Sequence, residues 1–312
     1  MKLASYLVEG RERFGLVRAD GIIDLSSRLP EVASLKALLE HGLACLDNLT
    51  LPSQVDYTLS QVSLLPVITN PGAIFCMGMN THSHCAEVAQ FSGHEHVPPK
   101  PYIFTRTARS HVGHATPMEK PNNSPLYDFE GEIAIIIGKL GRHISKADAL
   151  SHVAGYACYN DGSLRDYQCH SPMFTAGKNF PKSGAFGPWM VTADEITDPT
   201  TLTLTTRLNG NVVQEMPYAD LIYNFPQIIS YISEFTELQP GDVIVTGSAA
   251  GVGLFRKPQL WMQEGDICEV EIAGVGVLRN SIIGSQGINR APVSKTDPVA
   301  AFKEALEIYK SH

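Results

Sequence analysis

"SPLYDFEGEIAIIIGK", residues 124–139, carries three acids at alternate positions, Asp128, Glu130 and Glu132, and then turns abruptly apolar. In a strand successive side chains point to opposite faces, so the three acids share one face, continued by Ala134 and Ile136. Ile133, Ile135 and Ile137 fill the other face. A strand apolar on both faces is buried. Like charges side by side at its mouth raise one another's cost of ionisation. Two explanations remain open on these residues alone: the strand start lies in solvent, or a hard cation such as Mg²⁺, Mn²⁺ or Ca²⁺ bridges carboxylates two residues apart.

The rest of the chain frames that choice. It has 312 residues, 44% hydrophobic and 18% charged, with a formal net charge of −8. That is ample for a large core. The acidic balance argues against nucleic acid or an anionic membrane as a partner. No run approaches the roughly 18 apolar residues of a spanning helix. The start, "MKLASYLVEGRERFG", lacks the apolar region of a secretory signal. Six scattered cysteines without a CxxC pair read as reduced thiols, so a cytoplasmic location is expected.

Residues 1–70 read as a small β-rich domain. "RFGLVRADGIIDL" (13–25) gives two strands around Asp20-Gly21, and "SLKALLEHGLACLDNL" (34–49) predicts one amphipathic helix. "PVITNPG" punctuates the boundary near residue 70. From 71 to 285 strands dominate, among them "AIFCMGM", "YIFTRT", "EIAIIIG", "AGYACYN", "WMVTAD", "GDVIVTG" and "ICEVEIAGVGVLRNSI". Asn209-Gly210 predicts a hairpin with a type I′ turn. Helices are expected over 145–155, where Ser145 and Asp148 resemble a capping box and Gly155 a stop, from Phe225 to about Phe235, and in the tail, 286–312. The fold class is therefore mainly β (α+β), without regular βαβ alternation.

Three further stretches carry chemistry. In "YNDGSLRDYQ" (159–168), Asp161 follows a strand end and joins Glu130 and Glu132 as a possible third metal ligand. Such a set leaves positions for water and a chelating substrate. A local polar loop is the alternative. In "GMNTHSHCAEVAQFSGHEHVPP" (78–99), His84 and Glu87 share a helix face, and a carboxylate behind an imidazole fixes its tautomer for base catalysis. Flanking glycine and proline suit a lid. His82, His84, His94 and His96 form two HxH pairs that suggest zinc less strongly, because the carboxylates already offer a hard-metal site. A solvated loop stays open as a reading. In "FTAGKNFPKSGAFGPWM" (174–190), Lys178 sits in a glycine-flanked loop, able to reach an oxyanion or simply to face solvent. "PGDVIVTGSAAGVG" (240–253) lacks GxGxxG spacing, and close approach of its backbone and Ser248 to a small anion fits better.

Taken in order, these motifs resemble the fumarylacetoacetate hydrolase family over residues 71–284. The Glu-x-Glu strand enters "IGK", followed by "ND-x-S-x-RD-x-Q", "GK-x-F…GPW", "NG…Q", "L-x-PGD-x-I-x-TG…GVG" and "GD…EI-x-G-x-G-x-L-x-N". The resemblance implies a mixed β-sandwich roll with a small N-terminal domain, usually a homodimer. It places the metal ligands, for Mg²⁺ or Mn²⁺, on Glu130, Glu132 and Asp161, and a catalytic His–Glu dyad on His84 and Glu87. It makes Lys178 the catalytic lysine, with Arg106, Arg165, Gln168 and Ser248 as expected substrate contacts. Departures fall at Asn80-Thr81, at Arg106 where lysine is usual, at Gly162, and in "TGSAAGVG"; they bear on substrate shape.

The implied reaction is metal-dependent hydrolysis of a C–C bond in an acylpyruvate-type 2,4-dioxo acid, such as fumarylpyruvate. His84 would activate water and Lys178 would stabilise the oxyanion. The alternatives are an oxaloacetate-type decarboxylase, a 2-oxo acid isomerase or tautomerase, and, from another class, a non-catalytic carboxylate-binding protein.

Overall fold

The computed structural model of the chain describes residues 1–93, 97–285 and 300. The Gly131–Ile137 strand is buried at every residue, and its two faces enter two different cores. Ile133, Ile135 and Ile137 pack with Leu204, Val270 and Leu278 of a second sheet. Ala134 and Ile136 pack with Leu35, Leu38 and other residues of the N-terminal region. The unbroken apolar run therefore belongs to a strand sandwiched between layers.

Among the described residues the larger sheet has eleven strands. Its main path runs Gly21–Asp24, Arg11–Arg18, Lys2–Val8, Gly184–Thr192, Val153–Asn160, Gly131–Ile137, Val243–Val245, Ile74–Gly78 and Tyr102–Thr105. Lys2–Val8 pairs with Gly184–Thr192 through Lys2↔Val191 and Leu3↔Met190, so the N-terminal hairpin extends the same sheet. The facing sheet has five strands in the order Asn211–Pro217, Thr203–Leu208, Ile267–Ile272, Gly276–Gly284 and Met118–Lys120. Leu204, Thr206 and Leu208 alternate inward, as expected for a half-buried strand. The sheets meet closely at Gly131, where a Cβ would lie 2.0 Å from Thr206 Oγ1. The architecture is mainly β with inserted helices, and no described helix is long and apolar enough to cross a membrane.

Local expectations hold where turn chemistry decides them. Asn209 and Gly210 both have positive φ, 53° and 79°, in the hairpin. The Phe225–Phe235 helix starts with a capping box between Asn224 and Gln227 and buries Ile228, Ile229 and Ile232. Two expectations are corrected. The helix over 34–49 breaks at Gly42, whose φ of 88° caps Leu35–His41, and Leu43–Asn48 continues as a 3₁₀ turn. The helix over 145–155 is absent. Ser145 Oγ does donate to Asp148 (2.7 Å), but only Ala149–His152 form a short 3₁₀ turn. Gly155 lies in the Val153–Asn160 strand, buried throughout and hydrogen-bonded on both edges, and that pairing overrides the local signal. The tail expected as a helix lies outside the described residues apart from residue 300, as do His94 and His96.

Candidate active site

Glu130 occupies a break between the Tyr127–Asp128 and Gly131–Ile137 strands, and Asp161 follows the last residue of Val153–Asn160. The two strands pair with Gly131 opposite Asn160, and the Glu130 carbonyl accepts from the Asp161 N–H at 2.8 Å. Ladder register thus delivers Glu130, Glu132 and Asp161 to one point, each offering an oxygen within 4.8 Å of the others. They are 5%, 2% and 0% exposed, which removes the reading of acids harmlessly in solvent. Asp128 does not share their face, because the strand breaks at Phe129. Its carboxylate instead accepts from the N–H of Gly253 (2.7 Å) and Leu254 (3.0 Å) and from Arg165 Nε (2.8 Å).

Four buried carboxylates here face three buried cations. Lys178 Nζ is paired with both Glu130 and Asp161. Arg165 pairs with Asp128 and Glu130, and Arg106 with Asp161. Burial alone would raise Glu130, but Arg165 and Lys178 hold it well below the usual carboxylate range. Burial, then the charges of Asp161 and Glu130, push Glu132 well above that range, against the opposing pull of the Lys178 charge and the Gly247 N–H at 2.5 Å. Three converging hard oxygens, one of them under-compensated, fit an oxygen-preferring divalent cation such as Mg²⁺ or Mn²⁺.

The dyad stands on the His82–Ser92 helix, capped by Thr81 and anchored at its start. Asn80 Nδ2 donates to Thr246 O (2.7 Å) and Tyr223 O (3.0 Å), and Ser83 Oγ donates to Asp220 (2.5 Å). One turn on, His84 Nδ1 lies 3.1 Å from Glu87 Oε2, while Glu87 Oε1 accepts from the Gly251 N–H at 2.9 Å. A carboxylate can only accept, so Nδ1 carries the proton of a neutral ring and Nε2 keeps a lone pair.

His84, Glu130, Glu132, Asp161, Arg165, Gln168, Lys178 and Ser248 line one cavity of about 40 Å³, walled by Met77, Met79, Phe104, Phe174 and Phe255. Arg165 Nη1 donates to Gln168 Oε1 (2.8 Å). Its Nη2 is buried and ion-paired with Glu130 without making a well-angled hydrogen bond, so this cavity-lining side chain keeps donor capacity. Ser248 Oγ accepts from Gln214 Nε2 at 2.7 Å.

One expected role is corrected, and one open alternative is closed. Arg106 does not line the cavity; it stands behind Asp161 with its side chain 0% exposed. Lys178 is not on a surface loop. It ends the Thr175–Lys178 helical turn, where Gly177 and Lys178 are buried; Lys178 is 2% exposed, with its ammonium 4.9 Å from the centre of the Phe104 ring. The glycine-rich loop does bind anions through its backbone, but they are the chain's own: Gly247 serves Glu132, Gly251 serves Glu87, and Gly253 and Leu254 serve Asp128. Sequence reading assigned no role to Gln214, whose side chain accepts from the Gly131 N–H (2.9 Å) and donates to Ser248 and Ala249. Its place in the "NG…Q" motif was the available signal.

The chain is similar to known proteins over most of its length. "Oxaloacetate tautomerase fahd2, mitochondrial" of Xenopus laevis is 37% identical over 281 residues, covering 87% of this chain and 86% of its own. Its name places that relative in mitochondria rather than in the cytoplasm expected here. The fumarylacetoacetate hydrolase EaFAH of Exiguobacterium antarcticum superposes with a TM-score of 0.79 at 32% identity, over 91% of this chain and 100% of its own. A maleylpyruvate hydrolase from Sphingobium sp. SYK-6, in complex with manganese(II) ion and pyruvate, does so with a TM-score of 0.70 at 27% identity, over 92% and 100%. Residues 73–283 match the fumarylacetoacetate (FAA) hydrolase C-terminal family, and the chain belongs to the fumarylacetoacetate hydrolase family.

Proposed function

We propose that the chain is a divalent-metal-dependent enzyme that interconverts the keto and enol forms of a small 2-oxo dicarboxylic acid of the oxaloacetate class. The carrying observation is His84, tied through Nδ1 to Glu87 in the same small cavity as the carboxylate triad. Such a base can take a proton and return it, which is the whole of a tautomerisation. The relative named as an oxaloacetate tautomerase supports this branch over the hydrolysis expected from sequence.

Glu130, Glu132 and Asp161 would hold Mg²⁺ or Mn²⁺. When bound, the ion supplies Lewis-acid polarisation of the 2-oxo group. Arg165 Nη2 and Gln168 receive a substrate carboxylate, a pairing suited to the planar guanidinium. His84 Nε2 removes a proton from C3, the C2–C3 double bond forms, and the proton returns to the oxygen at C2. Glu87 keeps Nδ1–H in place, and Lys178 offers positive charge as that oxygen gains electron density. Phe104, Phe174 and Phe255 restrict water. Counted formally, four carboxylates against three cations leave one negative charge, and a divalent ion would turn that into one positive, which suits an anionic substrate.

Hydrolysis is the second reading, supported by the neighbour named as a maleylpyruvate hydrolase. There His84 would deprotonate water instead of carbon. The two separate in one experiment with Mn²⁺-loaded enzyme in ¹⁸O-labelled water, following enol absorbance of oxaloacetate and products from acylpyruvates. Faster loss of enol without pyruvate or carbon dioxide above background supports tautomerisation. Label in an acid released from an acylpyruvate transfers the assignment to hydrolysis.

A further inference from the structure

Arg106 is fully buried, yet it touches neither cavity nor solvent. Its three nitrogens reach four partners: Nη1 donates to Asp161 Oδ1 and to Gly162 O (3.2 Å), Nη2 to Ser183 Oγ (2.9 Å), and Nε to Ser110 Oγ (3.2 Å). Asp161 is thereby split between two environments. Oδ1 is taken by Arg106, and Oδ2 is turned to the site, 2.5 Å from Lys178 Nζ. A freely rotating carboxylate would present either oxygen or both; this one is held to a single presentation.

The guanidinium fits because residue 184 has no side chain. A Cβ at Gly184 would lie 2.9 Å from Arg106 Nη2 and 3.0 Å from both Cζ and Nη1, its three nearest neighbours. Gly184 has no left-handed backbone that would itself demand glycine. The far end of an arginine usually yields to such a contact, but here four hydrogen bonds pin it. A lysine at 106 would bring one nitrogen to a place built for three, keeping the charge and losing the fork.

We propose that Arg106 is a positioning residue for the metal centre: it fixes Asp161 so that one carboxylate oxygen faces the ion, and Gly184 is the recess that lets it do so. This rests on Glu130, Glu132 and Asp161 holding a divalent metal. Partners that orient a ligand in this way typically change metal affinity by about 10–100-fold.

The test is Mn²⁺ titration calorimetry on metal-stripped wild type, Gly184→Ala, Arg106→Lys and the double variant, with thermal melts of the metal-free proteins. Gly184→Ala and Arg106→Lys should each weaken Mn²⁺ by roughly 10–100-fold. On the Arg106→Lys background, Gly184→Ala should cost less than about threefold, because the flexible lysine leaves nothing pinned against the new methyl; such non-additivity marks direct coupling. Wild-type affinity in Gly184→Ala, or losses that multiply in the double variant, would overturn the proposal. If Gly184→Ala does not fold, Arg106→Lys decides alone, and undiminished affinity there overturns it. A wild type that binds no Mn²⁺ would instead remove the metal reading on which the proposal stands.

Discussion

Replacing Glu87 with glutamine separates the dyad from its surroundings. The carboxylate uses both oxygens, one toward His84 Nδ1 at 3.1 Å and one accepting from Gly251 N–H at 2.9 Å. Glutamine has nearly the same shape but one acceptor. If its oxygen stays with Gly251, its NH₂ meets His84 and donates, so Nδ1 must accept and the proton moves to Nε2. The base then faces the substrate already protonated. The lost interaction is a charge-assisted hydrogen bond between largely buried groups, with side chains 11% and 18% exposed. Such bonds contribute about 1.5–3 kcal/mol. At roughly 1.4 kcal/mol per decade, kcat should fall about 10- to 150-fold. KM should change little, since Glu87 does not line the cavity.

The assay is the enol-to-keto rate of oxaloacetate with saturating Mn²⁺, for Glu87→Gln, His84→Ala and the double variant. His84→Ala removes the base itself and should lose roughly 10²–10⁴-fold. Because Glu87 acts through His84, the double variant should be no slower than His84→Ala. Undiminished kcat in Glu87→Gln, or losses that multiply in the double variant, would refute the coupling.

Other perturbations test the centre and its support. Chelation should abolish activity and Mn²⁺ or Mg²⁺ should restore it, whereas Glu132→Ala should fold by circular dichroism and show no calorimetric metal binding. Lys178→Met leaves Glu130 and Asp161 without their shared ammonium. It should cost the metal-free protein about 3–5 kcal/mol in urea unfolding, as breaking buried pairs does, and its melting temperature should respond more strongly to Mn²⁺ than that of wild type. Gly131→Ala puts a methyl 2.0 Å from Thr206 Oγ1 between the sheets and should cost about 1–3 kcal/mol by overpacking, with partial recovery in Gly131→Ala/Thr206→Ala.

What could be read from sequence was set by short-range periodicity. Ile133 through Ile137 declared a strand buried on two sides, and the two cores on either face agree. His84 and Glu87, one helical turn apart, declared their own contact. Asp161 was legible as a junction residue. Longer-range arrangements were not. Arg106 meets Asp161, 55 residues away, and Lys178 meets Glu130, 48 residues away, and a flexible side chain carries no local sign of which carboxylate it meets. Asp128 was misplaced because alternation assumes an unbroken strand, and the chain interrupts it before Gly131. At 145–155 a real Ser145–Asp148 bond suggested a helix, and the pairing of Val153–Asn160 on both edges prevailed. The choice between hydrolysis and tautomerisation has no local sign either, because the same imidazole would serve both.

The loop after Val243–Val245 connects these parts more closely than its sequence suggests. A glycine-rich turn commonly cradles a ligand anion with its backbone N–H groups. Here successive N–H groups are spent on Glu132 from the triad, Glu87 from the dyad and Asp128, which in turn holds Arg165. Gly247 and Gly251 both have φ of 100°, so the path that aims these groups is one that residues with a Cβ rarely adopt. One segment therefore ties Glu132, the His84–Glu87 pair and Arg165 together. Substrate differences within such a site can arise in the cavity walls, at Met77, Met79, Phe104, Phe174 and Phe255, without moving the groups that handle the proton.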